Sequence, residues 1–339
     1  MSPIQFIGDS FESTNRIVTQ CYSLDWALAD ALGNVGYPLK SITEVYGAKG
    51  VGKTTWATSM MGIIAAKLQK NISFLDWEGQ SKETLEGILD AQSFHGVVKY
   101  ILNKGNETSE DTLERFVEEV ADDEQNVAMM DSLGAFQPNA MVEGKIGDSN
   151  MGVMAREIGQ FVSKLIYVTR RSEEPGAIFL TNHLHPKIGA MISGQDTSGG
   201  EKKKFLAHVR IDLKRAYIGN SAVDFGESYL LKGHVDHNRF GYPKRDFYVF
   251  MMGGQGIHVG LTALWDCVIA KHATLSAASI KDSVVVNMDS QSYGKFRTIL
   301  KEKDNKEFFV PFINKLREGD TVLEEDEVEE TPKKRGRNV

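Results

Sequence analysis

Eight residues, GAKGVGKT from Gly47 to Thr54, restrict the architecture of this chain more than any other stretch. An apolar run, SITEVYG, leads into them, and a segment of helical pattern, Lys53–Lys70, leads out. The spacing G-x-x-x-x-G-K-[ST] lets backbone N–H groups turn inward around a phosphate, while the following helix offers its positive N-terminus. The cradle comprises Gly47, Ala48, Lys49, Gly50, Val51, Gly52, Lys53, Thr54 and Thr55. Lys53 would reach the β- and γ-phosphates, and the Thr54 hydroxyl would ligate Mg²⁺. The motif alone specifies a nucleoside triphosphate and no particular reaction.

Strand-length apolar runs alternate with helical patterns on either side. ISFLD precedes a helix at Lys82–Leu89, VKYIL one at Glu110–Val120, and NVAMMD one at Met151–Thr169; GAIFLT closes the series. In the Met151–Thr169 segment, Met154, Ile158, Phe161 and Leu165 share a face. This alternation predicts an α/β fold, a mainly parallel sheet flanked by helices. Residues 206–252 would extend the sheet. The core spans 41–258 after an N-terminal segment, 1–40; a small α/β C-terminal domain occupies 259–318. Residues 319–339 place six acidic residues in seven (EEDEVEE) before a basic cluster, the pattern of a disordered tail. Between GAIFLT and LAHVRIDLKRA lie about twenty residues without period, read as a loop; loops of that length in compact domains carry function or are disordered.

The chain has 339 residues and a net charge of −7, so a nucleic-acid site must be local. Two cysteines fit a reducing, cytoplasmic setting. No apolar run approaches the roughly 18 residues of a membrane span, which predicts no membrane partner.

A metal-side carboxylate is expected at the end of a neighbouring apolar strand, and NVAMMDS supplies Asp131. A general base must polarise the attacking water. ISFLDWE offers Asp76 and Glu78, with Glu78 past the strand end, where side chains face the crevice of an open sheet. Metal binding by His183 and His185 with His234 and His237 lacks a Cys or ordered carboxylate to complete a set.

With these residues in place, the sequence resembles the RecA-type strand-exchange recombinases, including bacteriophage UvsX-type proteins. EVYGAKGVGKTT is similar to their phosphate loop and FLDWE to the strand that delivers their catalytic Glu. MMDSLGAFQPNAMVEGKIGDSNMGVMAR resembles their metal-side strand and first DNA-binding loop (about 141–153). NHLHPKIGAMISGQDTSGGEKKKFLAHVRIDLKR resembles their second loop (about 184–204). The last two motifs are the specific ones, because other phosphate-loop families lack them.

The resemblance implies that both loops line a helical filament and hold single-stranded DNA. Lys187, Lys202, Lys203 and Lys204 would face phosphates. Gly199 and Gly200 would allow close backbone approach. Met151 and Ile188 match apolar wedges between bases, and Arg156 a DNA-contacting Arg. Read unaided, Met151 is a core residue opening a helix. His183 matches the residue that senses the γ-phosphate. ATP would lie between protomers, with Arg239 and His237 of the neighbour completing the site, and with Lys204 and Phe205 carrying its signal across. About twenty residues precede the core, where bacterial members carry a long helix and strand; PIQFIG, anchored by Phe6, would instead add a strand to the neighbour.

The function implied is a DNA-dependent ATPase that uses ATP and Mg²⁺, assembles into a helical filament on single-stranded DNA, and pairs it with homologous double-stranded DNA. Lys53, Glu78, His183 and Arg239 carry the chemistry, with Asp131 and Thr54 on Mg²⁺. Two alternatives stay open: a ring helicase motor on this core, and a nucleotide-gated regulator without strand exchange.

Overall fold

The computed structural model describes residues 16–282, apart from 20, 105–106, 125, 145–150, 187–194, 219–220, 223–227, 270–272 and 276–279. In chain order the elements are β1 (Arg16–Ile17), α1 (Tyr22–Ala27), β2 (Tyr37–Pro38), β3 (Ser41–Gly47), α2 (Lys53–Leu68), β4 (Ile72–Asp76), α3 (Lys82–Ala91), β5 (Val98–Ile101) and α4 (Ser109–Ala121). There follow β6 (Val127–Asp131), α5 (Asn139–Val142), α6 (Met151–Arg171), β7 (Ala177–Pro186), β8 (Gln195–Thr197), α7 (Gly200–Leu206), β9 (Val209–Arg215), β10 (Tyr217–Ile218) and β11 (Ser221–Ala222). The series ends with β12 (Ser228–Asn238), β13 (Arg245–Met252), β14 (Gly256–Ile257), α8 (Val259–Ile269), β15 (Ala273–Leu275) and β16 (Ile280–Asp282).

One ten-stranded sheet organises the molecule, in the order β14-β13-β12-β9-β3-β7-β6-β4-β5, with β8 beside β7. The strands from β9 to β5 run parallel, whereas β12, β13 and β14 pair antiparallel. The central strands read as near-continuous apolar runs because both faces are covered. On one face α2 buries Trp56, Met60 and Ile64 against Val45, Phe74, Met129, Phe179 and Ile211. On the other, α4 and α6 bury Phe116, Phe161 and Leu165 against Ile42, Leu75, Met130 and Ile178. Local chemistry sets the helix starts: Ser81 Oγ accepts the Thr84 N–H before α3, and Thr108 with Asp111 forms a reciprocal cap before α4.

Three expectations change. The stretch from Thr181 to Phe205 is not all loop. β7 continues to Pro186, Gln195–Thr197 returns beside it, and Gly200–Leu206 is helical. β7 is paired on both sides only to Leu180; beyond that, β3 carries it to His183 and β8 pairs Leu184–Pro186, so the strand outlasts its apolar pattern. The α8 segment, expected to open a separate domain, is seated on the core. Phe250 N donates to Thr262 Oγ1 at 3.0 Å, the Trp265 ring meets Phe250 edge-on at 5.7 Å, and Ser23 N donates to Asp266 Oδ2 at 3.0 Å. Third, the lysine cluster of the second loop divides: Lys203 is buried, as described below. The part of the expected C-terminal domain beyond Asp282, the tail, Phe6, Lys187 and Ile188 lie outside the described residues.

Candidate nucleotide site and the adjoining loops

β3 and α2 present the phosphate loop at the C-terminal edge of the sheet. Gly52 caps α2 at φ +104 with no side-chain cap, so the first N–H groups of the helix are left to a ligand. No side chain fits there: a Cβ on Gly52 would stand 2.3 Å from the Tyr229 hydroxyl. Lys53 is buried and donates to the carbonyls of Gly47 and Ala48 at 3.2 and 3.1 Å. Burial lowers the pKa of its ammonium, opposed by the charges of Asp131 and Glu78.

Thr54 Oγ1 donates to Asp131 Oδ2 at 2.7 Å, and Thr181 Oγ1 donates to Oδ1. Burial pushes the Asp131 carboxyl up, opposed by those two hydroxyls and reinforced by Glu78 and Asp76. A hydroxyl and a carboxylate are hard oxygen donors of the kind Mg²⁺ takes. Among the described residues no three His, Cys, Asp or Glu side chains cluster as a metal cage. His234, weighed above as a ligand, instead bonds Asp246 through Nδ1 at 2.6 Å.

The two candidate bases separate clearly. Asp76 accepts the N–H groups of Glu78, Gly79 and Gln80 at 2.9, 2.8 and 2.6 Å, so its carboxylate holds the turn after β4. Glu78 projects from that turn. Its Oε1 accepts from Ser132 Oγ at 2.5 Å and shares a 2.6 Å hydrogen bond with His183 Nε2. Burial raises the Glu78 pKa, but the bonds from Ser132 and His183 and the charge of Lys53 outweigh it, and the carboxyl is held below its ordinary value. Ser132 was not anticipated; its one signal is its place directly after Asp131.

Lys53, Thr54, Asp131, Glu78 and His183 therefore converge. Arg239 and His237 do not join them: they lie at the far end of β12, where His237 pairs with Arg210 and Arg239 N donates to His208 O at 2.8 Å.

The loop ends meet beside the site. Met151 opens α6; Arg156 is exposed and paired with Glu157 at 2.9 Å. A Cβ on Gly200 would touch Ala155, and the stem of exposed Lys202 lies over Gly159, so α7 rides on α6. Phe205 is 72% exposed. Lys204 is held between Asp196 and Glu201, both at 2.6 Å. Lys203 points the other way. It is 2% exposed and pairs with Glu44 at 2.5 Å, because that buried carboxylate needs a cation, so it presents no charge to a phosphate. Gly199 is buried too, packed on Ile158 and the Lys203 stem. Among the described residues no helix is long and apolar enough to cross a membrane.

Comparison with known proteins identifies the family. The family model of the RecA N-terminal domain matches residues 5–258. Protein RecA of Bacillus velezensis is 32% identical over 248 residues, covering 73% of this chain and 69% of that protein. Protein RecA of Oceanobacillus iheyensis is 32% identical over 235 residues, 68% of this chain and 64% of that protein. Protein RecA of Nitratiruptor sp. is 32% identical over 260 residues, 74% of this chain and 70% of that protein.

Proposed function

The chain belongs to the RecA N-terminal domain family, and from that premise we propose that it is a DNA-dependent ATPase that forms filaments on single-stranded DNA and exchanges homologous strands. One observation carries the reading most: the Glu78 carboxylate, held by His183 and Ser132, stands beside the Thr54–Asp131 pair next to the phosphate loop. This arrangement supports reading Glu78 as the base, Asp131 as the metal-side carboxylate and the loop as the phosphate cradle, the set that phosphoryl transfer to water requires.

In this mechanism Lys53 exchanges its loop carbonyls for the phosphates of ATP. Thr54 and Asp131 would hold Mg²⁺, which would supply neutralisation of the charge that develops on the transferred group. Glu78 takes the proton of the attacking water. Ser132 and His183 orient its carboxylate. His183, at the end of β7, reports the γ-phosphate to the second loop. Arg156 and Lys202 contact DNA phosphates from the exposed side of the paired loop ends, and Gly200, Met151, Lys187 and Ile188 complete the proposed DNA-binding set. Arg239 and His237 complete the site of the next protomer.

Electron microscopy with single-stranded DNA and a slowly hydrolysed ATP analogue tests this directly. Helical filaments are the expected result. Closed rings would favour a helicase motor, and particles without assembly a nucleotide-gated regulator.

A further inference from the structure

We propose that Lys203 and Glu44 form a buried latch that couples the second loop to the nucleotide site, with Lys203 as its positioning residue. The inference rests on the ATP and DNA reading above and assigns a coupling element to it.

A lysine is almost never fully buried without a partner. Lys203 sits on a seven-residue helix beside three other charged residues, of which Glu201 and Lys202 are exposed and Lys204 is paired at the surface with Asp196 and Glu201. Its side chain instead enters the core, and Glu44 is 1% exposed on the strand that enters the phosphate loop. The ammonium donates to Glu44 Oε1 at 2.5 Å and to Thr197 Oγ1 at 2.7 Å. One cation thus ties α7 and β8, the returning half of the second loop, to β3. Gly199 makes room for it: at φ +94 the residue lies where L side chains strain, and a Cβ would stand 2.9 Å from Lys203 Cδ and Cε.

The same Glu44 oxygen has a second donor. Asn182 Nδ2 reaches Glu44 Oε1 at 2.8 Å and Ser198 O at 2.9 Å. Asn182 Oδ1 accepts the N–H of His183 at 2.9 Å, and the His183 ring bonds Glu78. Meanwhile Arg210 Nε holds Glu44 Oε2 at 2.7 Å. One carboxylate oxygen is therefore anchored, and the other is shared between the residue beside the sensor and the lysine of the loop. Burial raises the Glu44 pKa, but Lys203 and Arg210 outweigh it and keep it ionised. Two arrangements follow. When His183 and Asn182 shift on contact with nucleotide, the donors at Glu44 Oε1 change, and Lys203 carries the change into β8 and α7. A single buried ion pair is a poor source of net stability but a good register device.

The test is the affinity for a fluorescent oligo-dT, measured without nucleotide, with ADP and with a slowly hydrolysed ATP analogue, over a salt series. Coupling between sites is typically about 5–150-fold. Lys203→Met preserves apolar volume and removes the cation. It should bind the oligonucleotide as wild type does without nucleotide, and the enhancement by the ATP analogue should fall toward one. If Lys203→Met does not fold, Lys203→Leu removes the same cation, leaves the Glu44–Arg210 pair in place and carries the same expectation. An unchanged enhancement in the folded variant would overturn the latch and leave Lys203 a purely structural lysine. A uniform loss of affinity, with the salt slope reduced by about one, would overturn it in favour of a direct phosphate contact. A wild-type protein whose affinity ignores nucleotide would overturn the functional reading, and the latch with it.

Discussion

At the scale of single residues, the division of labour between Asp76 and Glu78 is decided by hydrogen bonds. Three backbone N–H groups occupy Asp76, while Glu78 is free to turn toward a ligand between Ser132 and His183. Glu78→Gln should therefore retain ATP binding and lose about 10²–10⁴-fold in hydrolysis rate, giving long-lived complexes with DNA. Single-turnover hydrolysis checks this, and near-normal turnover would reassign the base. Ser132→Ala makes a finer claim. The Ser132 hydroxyl donates to the charged form of Glu78 and so helps to depress its pKa. Without it the pKa rises, the base protonates at a higher pH, and the acid limb of the pH–rate profile moves upward. A limb that stays in place would remove Ser132 from the site. The phosphate loop, Asp131 and Glu78 are legible in sequence because each sits at or just past a strand end with a recognisable neighbour, whereas His183, inside β7, is legible only through the family resemblance. Glu44, Asn182 and Ser132 are not, since their roles arise from packing between segments; Glu44 and Lys203, for example, lie 159 residues apart.

Among elements, the parallel core is readable because its strands are apolar on both faces and its helices amphipathic or fully buried. β8 and α7 escape such reading. The helix has seven residues, starts at a left-handed glycine without a side-chain cap, and buries a lysine where its pattern predicts an exposed one. The placement of α8 depends equally on one buried group. Asp266 accepts the Ser23 N–H at the start of α1, and burial pushes its carboxyl up from 3.8 to about 7. The sign follows from linkage. Between those values the unfolded chain has released the proton and the folded chain keeps it, so stability falls as pH rises from about 4 to about 7 and is level above. The loss is on the order of 4 kcal/mol at about 1.36 kcal/mol per unit. Asp266→Asn keeps an oxygen for Ser23 and removes the charge. Its thermal midpoint should exceed that of wild type at pH 8 and converge with it near pH 4. Equal midpoints at pH 8 would mean that α8 carries no buried charge penalty.

For the whole molecule, the sheet register determines whether one chain can complete its own site. Asn238 pairs with Val209, and Val209 with Thr43; Gly47, four residues further along β3, pairs with Leu213. At about 3.3 Å per residue the phosphate loop lies about 13 Å beyond that level, and Arg239 follows Asn238 away from it. A single side chain does not span that gap, so Arg239 serves a neighbour's nucleotide if it serves one at all. Lys53→Ala would then keep a working Arg239 and lose its own cradle, while Arg239→Ala would keep the cradle and fail its neighbour. Each protein alone should show little DNA-stimulated hydrolysis. In a mixture, interfaces that join an intact phosphate loop to an intact Arg239 form at random, and part of the activity should return. Rescue requires both variants in one assembly, which energy transfer between differently labelled variants on the same DNA measures. An Arg acting within its own chain gives no rescue, because no protomer in the mixture holds both residues. If the labels show co-assembly and the mixture stays as inactive as its parts, the site is not shared through Arg239.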